Sequence, residues 1–248
     1  MILAAGLGTR LKPLTDSVPK ALLPLGGKAL LEWQLLKLRD AGIREVVVNI
    51  HHFPEQIRHF CATHDFGMSI VFSDESNMLL ETGGGLKKAA ELLGDNQPVL
   101  VCNVDILSNI NIPSLMTAHS LNDLATLVVS QRDTQRYFLF DHEACLRGWT
   151  NVKTGEVRGH LLTSSSSSML QMEQLTKLAF SGMHIVSPRV FKLMQSWPEK
   201  FSITDFYIEQ CATETIRAFV PHNYRMMDVG KIDYLAEAEA FAESLAVN

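Results

Sequence analysis

Ile2-Leu3-Ala4-Ala5-Gly6-Leu7-Gly8-Thr9-Arg10-Leu11-Lys12-Pro13-Leu14-Thr15, running on through Pro19-Lys20 and Pro24 to Lys28, is the stretch from which the rest of the chain can be read. A short apolar run enters a Gly-x-Gly-Thr-Arg turn. With no Cβ at two positions, backbone N–H groups can close around anionic oxygens. Arg10 and Lys20 bring positive charge to the same place, and Lys12 and Lys28 are further basic candidates. Pro13, Pro19 and Pro24 each fix φ, which lowers the entropy of ordering a loop that closes over a ligand. The stretch reads as a phosphate cradle. Spacing excludes two familiar kinds: a dinucleotide fingerprint requires a third glycine where Leu11 stands, and a P-loop requires Gly-Lys-Ser/Thr, which is absent.

Downstream of the cradle, apolar residues at helical spacing predict a helix over 30–41, with Gly42 placed to stop it. A buried strand follows at 45–50, a helix led by Pro54 runs to about 64, and a strand spans 69–73. Glu81-Thr82-Gly83-Gly84-Gly85 opens another helix. A strand at 98–102 then delivers Asn103-Val104-Asp105 to its carboxyl end, before a helix over 113–121 and a strand over 125–130. This alternation implies right-handed crossovers and a mostly parallel sheet with helices on both faces. Ligands in such sheets sit beyond the carboxyl ends of the strands, so Asp105 is placed to meet whatever the cradle holds. Short strands at 138–140, 145–149 and 157–162 suggest a small antiparallel subregion over the sheet, and Ser164 to Ser168 read as a polar, mobile loop. A strand at 178–186 contains Gly182, Ser202 or Thr204 caps the next helix, a late strand spans 216–220, and Asp228 follows at a strand end before a closing helix over 232–245. The expected fold is α/β: a three-layer αβα, Rossmann-like, mostly parallel mixed sheet in a single domain covering 1–248.

The 248 residues, 46% hydrophobic and 20% charged, suffice for a large core, with roughly 70–75% of the unfolded surface removed from water. A net charge of −5 without any run of Lys or Arg gives no nucleic-acid surface. Cys61, Cys102, Cys145 and Cys211 are too scattered for a zinc site or a disulfide framework. No apolar run approaches the roughly 20 residues that span a bilayer, and no basic segment leads a signal peptide, so a cytoplasmic enzyme is expected. Adjacent His51 and His52 point to opposite sides of an extended segment and cannot easily ligate one ion.

The opening motif, Leu-x-x-Gly-x-Gly-Thr-Arg-Leu-x-Pro-Leu-Thr followed by Pro-Lys-x-Leu-x-Pro, resembles that of the sugar-1-phosphate nucleotidylyltransferases over about two dozen residues. Thr82-Gly83-Gly84-Gly85, Asn103-x-Asp105, Phe180-Ser181-Gly182 and Asp228-Val229-Gly230 extend the resemblance along most of the chain in the family's order. Members usually carry a few more residues before the first strand than Met1 allows, which leaves a start upstream open. The resemblance implies attack by a sugar 1-phosphate on the α-phosphorus of a nucleoside triphosphate, with pyrophosphate leaving in line. It assigns Asp105 and Asp228 as ligands of Mg²⁺, Arg10 to the β- and γ-phosphates, and Lys20 to the reacting phosphates. Ala5, Gly6, Gly8 and Thr9 would bind nucleotide together with the N–H groups of Gly83 and Gly84, and Asn103 and Gly182 would contact the sugar. The competing structural readings are that each Asp caps a helix or turn, that Gly83 to Gly85 form only a tight turn, and that Gly182 is a packing residue.

Within the family, the motifs are most similar to N-acetylmuramate-1-phosphate uridylyltransferases, so the expected substrates are UTP and N-acetylmuramate 1-phosphate. Mannose- or heptose-1-phosphate guanylyltransferases are the near alternative, and a noncatalytic nucleotide-sugar-binding regulatory protein is the alternative from another class. The Glu-Lys-Pro segment of many thymidylyltransferases is missing, and 150–177 departs from the family pattern. The sequence leaves homo-oligomerisation open.

Overall fold

In the computed structural model, which describes residues 1–159, 174–230 and 235–246, one ten-stranded sheet organises the chain. Its strands are β1 (Ile2–Leu3), β2 (Glu45–Ile50), β3 (Ser69–Asp74), β4 (Val99–Asn103), β6 (Ala125–Ser130), β7 (Arg136–Phe140), β8 (Leu146–Asn151), β9 (Glu156–Arg158), β10 (Thr176–Val186) and β11 (Ile216–Phe219). A separate two-stranded ribbon pairs β5 (Ile106–Ser108) with β12 (Met226–Asp228). The described helices used below are α1 (Leu30–Asp40), α2 (Pro54–Thr63), α3 (Glu81–Lys88), α4 (Ile112–Ala118), α5 (Arg189–Met194), α6 (Ile203–Gln210) and α7 (Leu235–Ala246).

The half of the sheet that carries the cradle is parallel. β1 lies between β2 and β4, with Leu3 opposite both Asn49 and Asn103, and β3 lies outside β2. β10 then runs antiparallel to β4, β6 and β7, and β8 and β9 continue the antiparallel edge. These short strands therefore extend the edge of the same sheet; they do not form a subregion lying over it. The predicted strand over 157–162 reaches beyond the described residues, as does the start of the predicted final helix, and the serine run lies wholly outside them.

Strand alternation produces the three layers, because successive side chains point to opposite faces. Ile2, Val46, Val48, Leu100 and Cys102 face one core, covered by α1, α2, α4 and α7 through residues such as Leu35, Ile57, Leu115 and Ala238. Leu3, Val47, Val99 and Val101 face the other, where Leu86 of α3, Val190 of α5 and Phe206 of α6 pack. Local signals place the helix ends: Pro54 opens α2, Gly42 follows α1 at φ +88, and Ser202 caps α6 by accepting a hydrogen bond from Thr204 N at 3.2 Å. No helix among the described residues is long and apolar enough to cross a membrane.

Candidate functional site

The cradle leaves the carboxyl end of β1 and folds into three short 3₁₀ turns, Thr9–Leu11, Leu14–Asp16 and Lys20–Leu22. Its two glycines do different work. Gly8 has φ +64, and a side chain there would meet Thr15 Cγ2 at 2.8 Å and Lys20 Cβ at 3.1 Å; its carbonyl accepts from Thr15 Oγ1 at 2.9 Å. Gly6 has nothing within 4 Å of where a Cβ would stand. Gly8 is thus required by the loop itself, whereas Gly6 keeps space free in a cavity of about 360 Å³ that both residues line. Gly8→Ala is expected to lower the melting temperature, because the left-handed backbone costs a residue with Cβ about 1–2 kcal/mol before any clash. Gly6→Ala is expected to leave the melting temperature unchanged and weaken nucleotide binding. Thermal unfolding with and without UTP checks both.

A buried polar chain fixes the start of the cradle. Asn49 Oδ1 accepts from Ala4 N at 2.6 Å and Ala5 N at 3.3 Å, and its Nδ2 donates to Glu75 Oε1 at 2.7 Å. The other Glu75 oxygen accepts from Leu80 N at 3.1 Å. Glu75 is fully buried, and desolvation raises its carboxyl above its usual value despite these bonds. One side chain on β2 therefore links the cradle to the loop that enters α3. Asn49→Ala would leave two N–H groups and a carboxylate short of partners, and a loss of about 2–3 kcal/mol in denaturant unfolding is expected.

Pairing of the β5–β12 ribbon brings the two site carboxylates together. Asp228 stands opposite Ile106 in the register, next to Asp105, and Val229 N donates to Asp105 O at 2.9 Å. Lys20 Nζ donates to Asp105 Oδ2 and is almost completely buried doing so. Desolvation and then the Asp105 charge push the Asp228 carboxyl above its usual value, while Lys20, Arg10 and Arg132 pull it back down. A side chain at Gly230 would meet Asp228 Oδ1 at 2.6 Å and Arg10 Nη2 at 3.0 Å, so that glycine leaves room for both. Two mutually repelling carboxylates beside a phosphate cradle form an all-oxygen donor set. Such a set fits a hard divalent cation that retains water and binds phosphate oxygens as well. A different acidic group, Asp141 with Glu143 and Cys145, lies on the β7–β8 turn, where Asp141 is occupied by Glu143 N, Cys145 N and the Arg147 guanidinium.

Ala5, Gly6, Gly8, Thr9, Arg10, Lys20, Asn103 and Asp105 line the cavity, with Asp228 joined to it through Gly230 and Arg10. Gly83 and Gly84 are placed otherwise than expected. Both N–H groups donate to Phe201 O, at 2.9 and 3.1 Å, and Cβ atoms there would strike the Phe201 ring and Glu199 O. These glycines let α3 approach the segment before α6, and their N–H groups are already used. Gly182, at φ +69, packs against the Asn103 amide, which a Cβ would meet at 2.6 Å, so it bears on the cavity through Asn103. Lys12 pairs with Asp16, Lys28 lies over the Trp33 ring, and His51 Nδ1 bonds Glu75 O.

Sequence reasoning missed Asn49, Glu75 and the cavity wall formed by Leu79, Glu81 and Thr82. Asn49 had a signal, being a polar residue inside an otherwise apolar buried strand. Glu81 holds φ +63, a left-handed conformation unusual for a residue with Cβ.

Open α/β sheets bind ligands beyond the carboxyl ends of their parallel strands, and the cavity of this chain lies there. It belongs to the nucleotidyl transferase family, whose pattern matches residues 1–143. Over 108 residues it is 48% identical to the N-acetylmuramate alpha-1-phosphate uridylyltransferase of Caulobacter vibrioides, a stretch covering 42% of this chain and 44% of that one. Its identity to the protein of the same name from Neisseria meningitidis serogroup B is 44% over 123 residues, covering 49% and 53% of the two chains. The chain thus spans about half the length of the curated relatives it matches. HddC from Yersinia pseudotuberculosis, solved in complex with GMP-PN, shares the fold with a TM-score of 0.74 at 22% identity, covering 97% of each chain.

Proposed function

We propose that the chain, acting as a single domain over 1–248, transfers a nucleotidyl group from a nucleoside triphosphate to a sugar 1-phosphate, releasing pyrophosphate. The observation that carries this reading is the meeting of an open glycine turn, Arg10, and the Lys20–Asp105 pair beside Asp228 at one end of the parallel strands. The two relatives named as N-acetylmuramate alpha-1-phosphate uridylyltransferases favour UTP and N-acetylmuramate 1-phosphate as substrates. A cytoplasmic setting, where nucleoside triphosphates are made, accords with this chemistry.

Gly6 admits the triphosphate to the backbone, and Leu79, Glu81 and Thr82 offer a wall for base and ribose. Asp105 and Asp228 would hold Mg²⁺, which when bound neutralises phosphate charge and aligns the oxygens. Arg10 stabilises the negative charge that grows on the departing pyrophosphate. Lys20, already positioned by Asp105, presents its ammonium to the reacting phosphates. No covalent enzyme intermediate is needed, so positioning and charge neutralisation supply the acceleration.

The test is pyrophosphate release across a panel of nucleoside triphosphates and sugar 1-phosphates with Mg²⁺. Release with UTP and N-acetylmuramate 1-phosphate is the expected result. Nucleotide binding without release from any pair would contradict catalysis and identify a regulatory binding protein.

A further inference from the structure

Asp105 and Asp228 stand at one end of a ribbon that has only two strands, β5 and β12. Two strands alone are marginally stable in water, so the placing of the two carboxylates depends on what the ribbon is fastened to. The strands pair through alternate residues: Val229 N donates to Asp105 O at 2.9 Å, and Asn109 N donates to Arg225 O at 3.1 Å. The carbonyls of Ile106 and Ser108 fall out of phase with these bonds and are directed away from β12.

Helix α1 takes up that open edge. Gln34 Nε2 donates to Ile106 O at 2.7 Å, and Lys37 Nζ donates to Ser108 O and, at 2.8 Å, to Ser108 Oγ. Residues three apart on a helix share a face and carbonyls two apart on a strand share an edge, so the two spacings match. The same helix begins at Leu30, whose N–H donates to Leu23 O at 3.1 Å, one residue beyond the turn that carries Lys20. One helix thus frames Lys20, Asp105 and Asp228.

Neither side chain is the one that stability alone would choose. Gln34 is buried, and among the described residues its Oε1 finds no partner. The Lys37 ammonium bonds the oxygens of Ser108, with no carboxylate beside it among the described residues, and burial pulls its pKa down to about 8. An unpaired amide oxygen and a desolvated charge each cost free energy that Leu or Met would not.

We propose that Gln34 and Lys37 are positioning residues for the divalent cation: by clamping the outer edge of β5 to α1, they hold Asp105 and Asp228 together for the metal. The proposal rests on the nucleotidylyl-transfer reading and names what sets the metal affinity of that site. Neither residue touches metal or substrate; both act through the β5 backbone. Without the clamp the ribbon is free to slide against α1, and two carboxylates that repel each other settle farther apart.

Lys37→Met and Gln34→Leu keep the side-chain volume and remove the donors. Each is compared with the wild type by calorimetric titration of UTP with and without Mn²⁺, by Mg²⁺ activation of pyrophosphate release and by thermal unfolding. In each variant UTP affinity without metal is expected to be unchanged, and the gain in affinity that Mn²⁺ confers falls about tenfold, as when an outer partner of a metal ligand is lost. The Mg²⁺ concentration for half-maximal activity rises, saturating Mg²⁺ restores most of kcat, and the melting temperature is unchanged or higher. The double variant loses less than the product of the single losses, because both release the same edge. An unaltered Mn²⁺ effect in the folded variants would overturn the proposal and leave nucleotidylyl transfer intact. So would a lowered melting temperature with UTP binding weakened equally with and without metal, the mark of merely structural side chains. Gln34→Leu alone decides the matter should Lys37→Met fail to fold. A diminished Mn²⁺ effect in the variants, where the wild type releases no pyrophosphate from any pair, would uphold the clamp and contradict the transfer reaction.

Discussion

Asp105→Asn is expected to lower turnover by about 10³-fold or more while changing thermal unfolding little. The substitution keeps the shape of the side chain and the β5–β12 ribbon, whose Val229 N–H bond goes to the Asp105 main-chain oxygen. It replaces one of the two carboxylates that would hold the metal with a neutral amide, and it removes the negative charge that pairs with the Lys20 ammonium. Two consequences separate this loss from simple unfolding. The concentration of Mg²⁺ needed for half-maximal activity rises, and the Asp228 carboxyl, relieved of the neighbouring charge, falls back towards its usual value. Steady-state kinetics across Mg²⁺ concentrations and across pH, with circular dichroism on the same sample, measure both. Near-normal kcat in a folded variant would remove Asp105 from the reaction.

Lys20→Met is the second large effect, with a fall of about 10³-fold in kcat/KM expected. Met preserves the apolar stem in a nearly buried position and deletes only the charge. The pH dependence provides a further sign. Lys20 is the first of three cations that draw the Asp228 carboxyl down, so its loss lets that carboxyl rise further. The proton then competes with the metal at higher pH, and the acidic limb of the kcat/KM profile moves upward. An acidic limb that stays in place, in a folded but slow variant, would show that Lys20 acts without electrostatic contact with the carboxylate pair.

What was legible in the sequence was what local physics controls. The strand at Glu45–Ile50 and the helix start at Pro54 follow from an uninterrupted apolar run and from proline's fixed φ, which need no knowledge of partners. The cradle was legible for the same reason, since Gly6, Gly8 and Arg10 act within a few residues of one another. Long-range contacts decided the rest. Three glycines opening a helix look the same whether a ligand or the Phe201 ring needs the space, and here Phe201 and Glu199 take it. The link from Asn49 to Glu75 depends on strands that meet only in the folded sheet, and the proximity of Asp105 to Asp228 depends on pairing between distant segments. Family resemblance supplied that last pair where periodicity could not.

The most direct test of nucleotidylyl transfer follows the α-phosphorus itself. UTP labelled at that atom is mixed with the protein, Mg²⁺ and N-acetylmuramate 1-phosphate, and the products are resolved by chromatography. The label is predicted in a uridine diphosphate sugar, with one unlabelled pyrophosphate formed for each. Label that stays in UTP, or leaves as UMP, would contradict the assignment.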